Sequence, residues 1–261
     1  DDSGNVYIAG FRGGSGTGND CITIKYNTSG VQQWLQTYNG PGNSNDNARS
    51  LALDASGNVY ITGYSAGVSS GADYTTIKYN SSGVQQWLQT YNGPGNSDED
   101  AYSLVLDALG NVYITGYSPG SGTDVDYATI KYNSQGTQQW LQRYNGPGNS
   151  IDDARNVAID TSGNVYVSGT SIGIASARDY ATIKYSQTIG IQTISSEIPS
   201  GFSLEQNYPN PFNPVTNIKF SIPKSGVVTL KIFDVSGREV SQLINENLSA
   251  GSYNYDFNAS H

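Results

Sequence analysis

The sequence predicts an all-β protein, and three observations carry that expectation. The stretch 57–80, GNVYITGYSAGVSSGADYTTIKYN, returns at 110–133 and 163–186 and opens the chain at 4–27, so the period is 53 residues each time. A fixed period near 50 points to a repeat architecture. Within each period, apolar and polar residues alternate with period two, and Tyr (20) far outnumbers Phe (6), which suits strands with aromatics on their faces. Glycine turns separate the runs (31 Gly in all), and no run shows helical spacing with caps.

One unit, 48–91, reads as four strands. ARSLALD (48–54) sets Leu51 and Leu53 against small residues. NVYITGY (58–64) alternates Val59 and Ile61 with Tyr60 and Thr62. YTTIKYN (74–80) puts Ile77 and Tyr79 on one face and Thr76 and Lys78 on the other. VQQWLQTY (84–91) carries Trp87. Gly57 and Gly83 suit tight turns that need a positive φ, and Asn92-Gly93-Pro94-Gly95-Asn96 is a longer loop that cannot continue a strand. Four antiparallel strands, the first small and aliphatic and the last carrying Trp, form the pattern of a β-propeller blade. The innermost strand is small because blades converge there. A parallel β-helix is the rival; its repeats are shorter and lack a hairpin glycine at every second connection. The repeats cover 1–186 and supply about three and a half blades, so the propeller portion reads as an open arc or fragment, with the strands holding Leu51, Leu104 and Val157 innermost. Trp34, Trp87 and Trp140 keep the period, which predicts that each is buried against the next blade.

The period stops after Tyr185. Residues 187–201 read as a linker or a degenerate outer strand of the last blade. Then 208–214, YPNPFNP, places three prolines in seven residues, an extended and rigid segment. Strand-like runs follow at 216–222, 227–234, 239–245 and 252–258, with a turn at 235–238, so 202–261 reads as a small partial immunoglobulin-like sandwich. Two modules joined near 187–203 are expected.

Lys and Arg (13) against Asp and Glu (22) give a net charge of −9. That disfavours nucleic acid and anionic membrane surfaces as partners. No apolar run approaches the roughly 18 residues of a membrane span. Cys21 stands alone, in the place of Tyr74, Tyr127 and Tyr180, so it reads as packing and no internal disulfide is expected. The chain has no Met and begins in mid-repeat, so it reads as part or a processed product of a longer protein.

Candidate chemistry is sparse. The one histidine, His261, is terminal, which gives no support to a triad or a His-containing metal site. Asp54, Asp107 and Asp160 each precede x-x-Gly-Asn and read as Asx turns. Acidic residues precede each innermost strand: Asp46, then Asp98, Glu99 and Asp100, then Asp152 and Asp153. Their oxygens make them the candidates for Ca²⁺, against the plainer reading of a solvated acidic rim. No other cofactor and no catalytic residue is expected. Carboxylate pairs that recur in near-identical repeats do not make the single asymmetric cluster of a glycosidase.

GNVYITGYS, YTTIKYN and QQWLQTYNGPGNS resemble the SBBP repeat, a family named for its seven-bladed propellers. FSLEQNYPNPFNP, with TLKIFDVSGREV and LSAGSYNYDFN, closely resembles the type A C-terminal sorting domain of the type IX secretion system. The motif residues carried over are Tyr208, Pro209, Asn210, Pro211, Phe212, Asn213, Pro214, Asp234, Gly237 and Arg238. The second resemblance implies handling by the type IX machinery and a secreted or cell-surface protein. Family members continue for about two more strands beyond the position of His261, which implies a sandwich cut short here. The repeats are then expected to be a non-catalytic binding or adhesion module for an extracellular protein or polysaccharide. The alternative is the non-catalytic part of a secreted hydrolase whose catalytic domain lies outside this sequence.

Overall fold

The computed structural model describes residues 1–160, 163–174, 177–186, 191–212 and 215–258. It has two compact units, Asp1–Ile159 with Val165–Tyr185, and Ser186–His261 with Asp160–Asn164. All named elements are strands, and among the described residues no helix is long and apolar enough to cross a membrane.

The first unit holds four antiparallel sheets in chain order. The first sheet is β1 (Val6–Gly13), β2 (Asn19–Tyr26) and β3 (Gln32–Tyr38). The second is β4 (Asp46–Leu53), β5 (Val59–Ala66), β6 (Ala72–Tyr79) and β7 (Gln85–Tyr91). The third is β8 (Asp100–Leu106), β9 (Val112–Pro119), β10 (Val125–Tyr132) and β11 (Gln138–Tyr144). The fourth is β12 (Asp152–Ile159), β13 (Val165–Ile172) and β14 (Arg178–Tyr185). Each sheet is a meander in sequence order. The strands β4, β8 and β12, which hold Leu51, Leu104 and Val157, contact one another from sheet to sheet. Face-to-face meanders converging on their first strands are blades of a β-propeller.

The cores lie between sheets. Tyr60 and Tyr74 of the second sheet meet Leu104, Val112, Ile114 and Ile130 of the third. Tyr113 and Tyr127 of the third repeat the arrangement against Val157, Val165 and Val167 of the fourth. A middle strand therefore buries both faces: Val59 and Ile61 pack one way, Tyr60 the other. This explains why the alternation in 58–64 is of small against large rather than apolar against polar. Tyr74 Oη also donates to Ala128 O (3.3 Å) across the gap, and Tyr127 Oη to Ala181 O (3.4 Å).

Each tryptophan ties one sheet to the next. Trp34 Nε1 donates to Ser81 O (3.2 Å) and Trp87 Nε1 to Ser134 O (3.1 Å). The indoles lie over Gly83 and Gly136, where a Cβ would approach the ring to 2.8 Å; both glycines also have φ near +82°. Packing against the next blade is thus observed, but the tryptophans are half-buried rather than sealed. They sit on the outermost strands, where the sheets diverge.

The second unit pairs β15 (Ile191–Ser195), β20 (Gly251–Asn258), β17 (Val215–Ile222) and β16 (Ser203–Leu204) in that order, with β18 (Gly226–Phe233) and β19 (Glu239–Leu248) as a separate hairpin sheet. Ile218, Phe220, Ile222, Tyr253 and Tyr255 of the larger sheet pack with Ile244 of the hairpin, as in a sandwich. Where the sequence suggests a linker or a blade strand at 187–201, Ile191–Ser195 is instead an edge strand on β20. Its short alternating run fits either sheet edge, so local pattern does not fix its partner.

Candidate functional site

The two ends of the blades differ in kind. Strand β4 runs from the 92–99-type loops towards Asp54; β5 returns, β6 runs out again and β7 returns. One end of every blade therefore carries the short turns, and the other the loops 66–72 and 92–99 with their equivalents.

At the turn end the chemistry repeats. Asp54 Oδ1 accepts from the amides of Ser56 and Asn58 (both 2.9 Å), and Oδ2 from Asn58 Nδ2 (2.7 Å) and Tyr60 Oη (3.1 Å). Asp107 does the same for Leu109, Asn111 and Tyr113. Burial opposes the charge on Asp54, but these hydrogen bonds outweigh it and hold its carboxyl below the usual value. The Asx reading of these aspartates is what the structure builds. Asp234 of the second unit makes the same turn, accepting from the amides of Ser236 (2.9 Å) and Arg238 (3.0 Å) and from Arg238 Nε (3.0 Å), with Gly237 at φ +80°.

At the loop end each innermost strand contains a bulge. Ala48 pairs Gly63 and Ser50 pairs Thr62, so Arg49 is the extra residue; Tyr102 and Arg155 occupy the same place in β8 and β12. A bulge re-aims the side chain of its extra residue. Glycine opposite is required: a Cβ on Gly63, Gly116 or Gly169 would come within 2.0 Å of a strand carbonyl. The re-aimed side chains form a ladder. The Arg49 guanidinium lies over the rings of Tyr64 (5.4 Å) and Tyr102 (5.9 Å), and that of Arg155 over Tyr102 (4.3 Å). Arg49 grips Asp100 through Nε (3.0 Å) and Nη2 (2.8 Å), and Arg155 pairs with Asp153. Burial lifts both carboxyls above the usual range while each arginine pulls its partner back.

Beside this ladder, between the second and third sheets, lies a groove of about 530 Å³. It is lined by Arg49, Tyr64, Tyr117 and the acidic Asp98, Glu99 and Asp100, with the small residues Ala66, Gly67, Gly71 and Ala72. The volume is within the range of small-molecule sites, roughly 300–1,000 Å³.

The cation candidates are distributed rather than gathered. Asp46 accepts from the amides of Gly40 (2.8 Å) and Ala66 (3.2 Å), and Asp152 from Gly146 (2.5 Å) and Ile172 (3.3 Å). Asp98 Oδ1 accepts from Ala72 N (2.9 Å), and Asp100 and Asp153 hold arginines. No group of three His, Cys, Asp or Glu suited to a metal occurs among the described residues. Glu99 stands where Asp46 and Asp152 stand in their units. One methylene longer, it sits by Gly93 and Ser118 without well-formed hydrogen bonds, and burial pushes its carboxyl up to about 8, with Asp73 adding to the rise and Gly93, Arg143 and Ser118 opposing it. Cys21 is buried, and burial raises its thiol to about 12; a thiol so placed is inert.

In the tail, Tyr208 pairs with Asn217 through both backbone bonds (3.1 and 3.0 Å). Pro209 O accepts from Thr216 Oγ1 (2.8 Å), and Phe212 packs edge-on against Phe257 (5.9 Å). The 208–214 segment is thus fastened to β17 and β20. Asn210 and Pro211 lie between these anchors; Asn213, Pro214 and His261 are outside the described residues. The bulge residues and the groove escaped the sequence reading. Comparing units position by position points to them: Tyr102 stands where the other units have Arg49 and Arg155, and Asp98 where they have Asn45 and Ile151.

The blades and the sandwich define a β-propeller repeat protein with a second, C-terminal β unit. Residues 35–68, 86–122 and 139–174 match the β-propeller repeat family SBBP, and 206–261 match the secretion system C-terminal sorting domain. The chain carries SBBP β-propeller repeats and a C-terminal sorting domain of the type IX secretion system, which marks it as secreted or cell-surface. No curated protein matches the sequence. Among solved structures, one provisionally named a gluconolactonase is 11% identical, with 98% of this chain and 93% of that chain covered at a TM-score of 0.33.

Proposed function

We propose that the repeats are a non-catalytic binding module, delivered to the cell exterior by the C-terminal unit. The observation that carries this is the groove between the second and third sheets, formed where the repeats diverge in sequence while the rest of each blade is held constant. The lack of a catalytic role is argued from the commitments of most of the loop-end carboxylates, Glu99 and one oxygen of Asp98 excepted. Asp46 and Asp152 hold loop amides, Asp100 and Asp153 hold arginines, and Cys21 is buried. Extracellular polymers, whether protein or polysaccharide, are the partners in this reading. The net charge of −9 disfavours nucleic acid.

The test is to incubate the purified chain with insoluble polysaccharides and with immobilised extracellular matrix or surface proteins, and to assay the same mixtures for soluble products. Retention without product is expected. Product release would overturn the non-catalytic reading, and retention on nothing would overturn the binding reading.

A further inference from the structure

We infer that the groove between the second and third sheets is a subsite for a neutral saccharide; this deepens the binding-module reading and rests on it. The argument begins with the polar atoms that the fold leaves unused. Arg49 spends Nε and Nη2 on Asp100, and its Nη1 has no partner among the described residues. Asp98 spends Oδ1 on the Ala72 amide, and its Oδ2 has none. Neither hydroxyl of Tyr64 and Tyr117 makes a hydrogen bond among the described residues. The lining of the groove thus offers a donor and an acceptor, and two phenols can serve as either.

The charges select the ligand class. Nε and Nη2 of Arg49 converge on Asp100 Oδ2, and this ion pair offsets the guanidinium charge, so Nη1 donates with little free positive charge. Asp98 is an exposed carboxylate side chain beside the groove, and the chain as a whole is at −9. An anionic sugar meets repulsion there, and a neutral polyol does not. Adjacent hydroxyls of a pyranose can receive from a guanidinium and donate to a carboxylate, and its apolar C–H face can rest on a tyrosine. The small residues leave the room: Gly67 and Gly71 lack Cβ atoms, and a Cβ on Gly71 would meet Asp98 Oδ1 at 2.6 Å. The other inter-sheet gaps lack this set. Where the second gap has Asp98, the third has Ile151 and the first Asn45; where it has Arg49, the third has Tyr102. The ladder of Tyr102 and Arg155 continues from Arg49 along the innermost strands, so the ligand expected is an oligosaccharide rather than a single sugar.

The experiment is calorimetric titration of the intact chain with cellotetraose, xylotetraose, maltotetraose and mannotetraose, and with tetragalacturonate as the charged comparator. At least one neutral tetrasaccharide is expected to bind, and at least roughly tenfold more tightly than tetragalacturonate. Removing a hydrogen bond to a charged group is expected to weaken it roughly tenfold. Arg49→Ala exposes Asp100 to loss of its partner and can unfold the strand; Asp98→Asn, which keeps an oxygen for the Ala72 amide as Asn45 does for Asn19, is the second variant. Weaker binding by folded Asp98→Asn supports the site. Failure of all four neutral sugars, equal binding of the charged one, or full binding by Asp98→Asn overturns it. If the sugars fail while a protein or another polymer is still retained, the binding-module reading stands and only this inference falls.

Discussion

The turn end and the loop end of the same blades obey different rules. At the turn end, Asp54 and Asp107 each gather four donors, and Trp34 and Trp87 each reach across to a serine carbonyl of the next unit. Between 24–38 and 77–91, the strands on either side of the second turn, only Thr28 against Ser81 differs. At the loop end, positions 45–49, 98–102 and 151–155 read NDNAR, DEDAY and IDDAR, and the hairpins 66–72 and 119–125 share little. The lesson is one of constraint. A turn that must dock against the next copy of itself tolerates one solution, whereas a side chain thrown out by a bulge faces solvent and a groove, and is free to vary.

Breaking the turn end has the largest expected effect. Trp87→Ala removes an inter-sheet hydrogen bond and the ring packed between Tyr60 and Tyr132; because the indole is half-buried, a loss of about 3 kcal/mol is expected, the lower part of the usual range. Urea unfolding checks it, and a loss under about 1 kcal/mol would show that the sheets hold together without the tryptophans. Asp54→Ala is next, at about 2 kcal/mol for a carboxylate with several donors. Its folded-state carboxyl lies below the usual value, so its contribution is full above the unfolded pKa and is lost as pH falls through the folded one. The deficit of the variant should shrink in acid; a deficit independent of pH would count against the charged turn.

The loop end titrates with the opposite sign. Glu99 is raised to about 8 from about 4.5, so the folded state holds the proton more tightly than the unfolded chain. Stability is unaffected below about 4.5, falls as pH rises between those values, and levels above 8. Glu99→Gln should flatten that slope in melts taken from pH 4 to 9; an unchanged slope would assign it elsewhere. The smallest change is a repair. Cys21 stands where Tyr74 and Tyr127 are fully buried, beside a void of about 10 Å³. Cys21→Tyr should add about 1 kcal/mol by an inter-sheet hydrogen bond like theirs. A lowered midpoint would mean that the sheets have closed around the smaller residue.

Much of the fold is legible because the repeat states it four times. The glycines at 57, 83, 110 and 136 announce turns, and the alternation in 58–64 and 74–80 announces strands. The destination is legible in YPNPFNP and in Asp234 to Arg238, whose turn repeats the chemistry of Asp54. Three things are not legible, each for a physical reason. The bulge at Arg49 depends on Gly63 across the sheet, which reads alone as one more strand glycine. The partner of Ile191–Ser195 depends on β20, some 60 residues on. The groove depends on Arg49, Tyr64, Asp98 and Tyr117 meeting from two units, and only the difference of Asp98 from Asn45 and Ile151 hints at it.

The partition between ends is tested most directly by the urea midpoint of the double variant Asp98→Ile, Glu99→Asp, which rewrites these two positions as they stand at Ile151 and Asp152. Asp152 and Asp46 show that an aspartate there takes up the loop amides. The account predicts a cooperative transition at or above the parent midpoint, with the slope between pH 5 and 8 flattened. A midpoint lowered as far as Trp87→Ala lowers it would contradict the claim that the loop end is free of the fold.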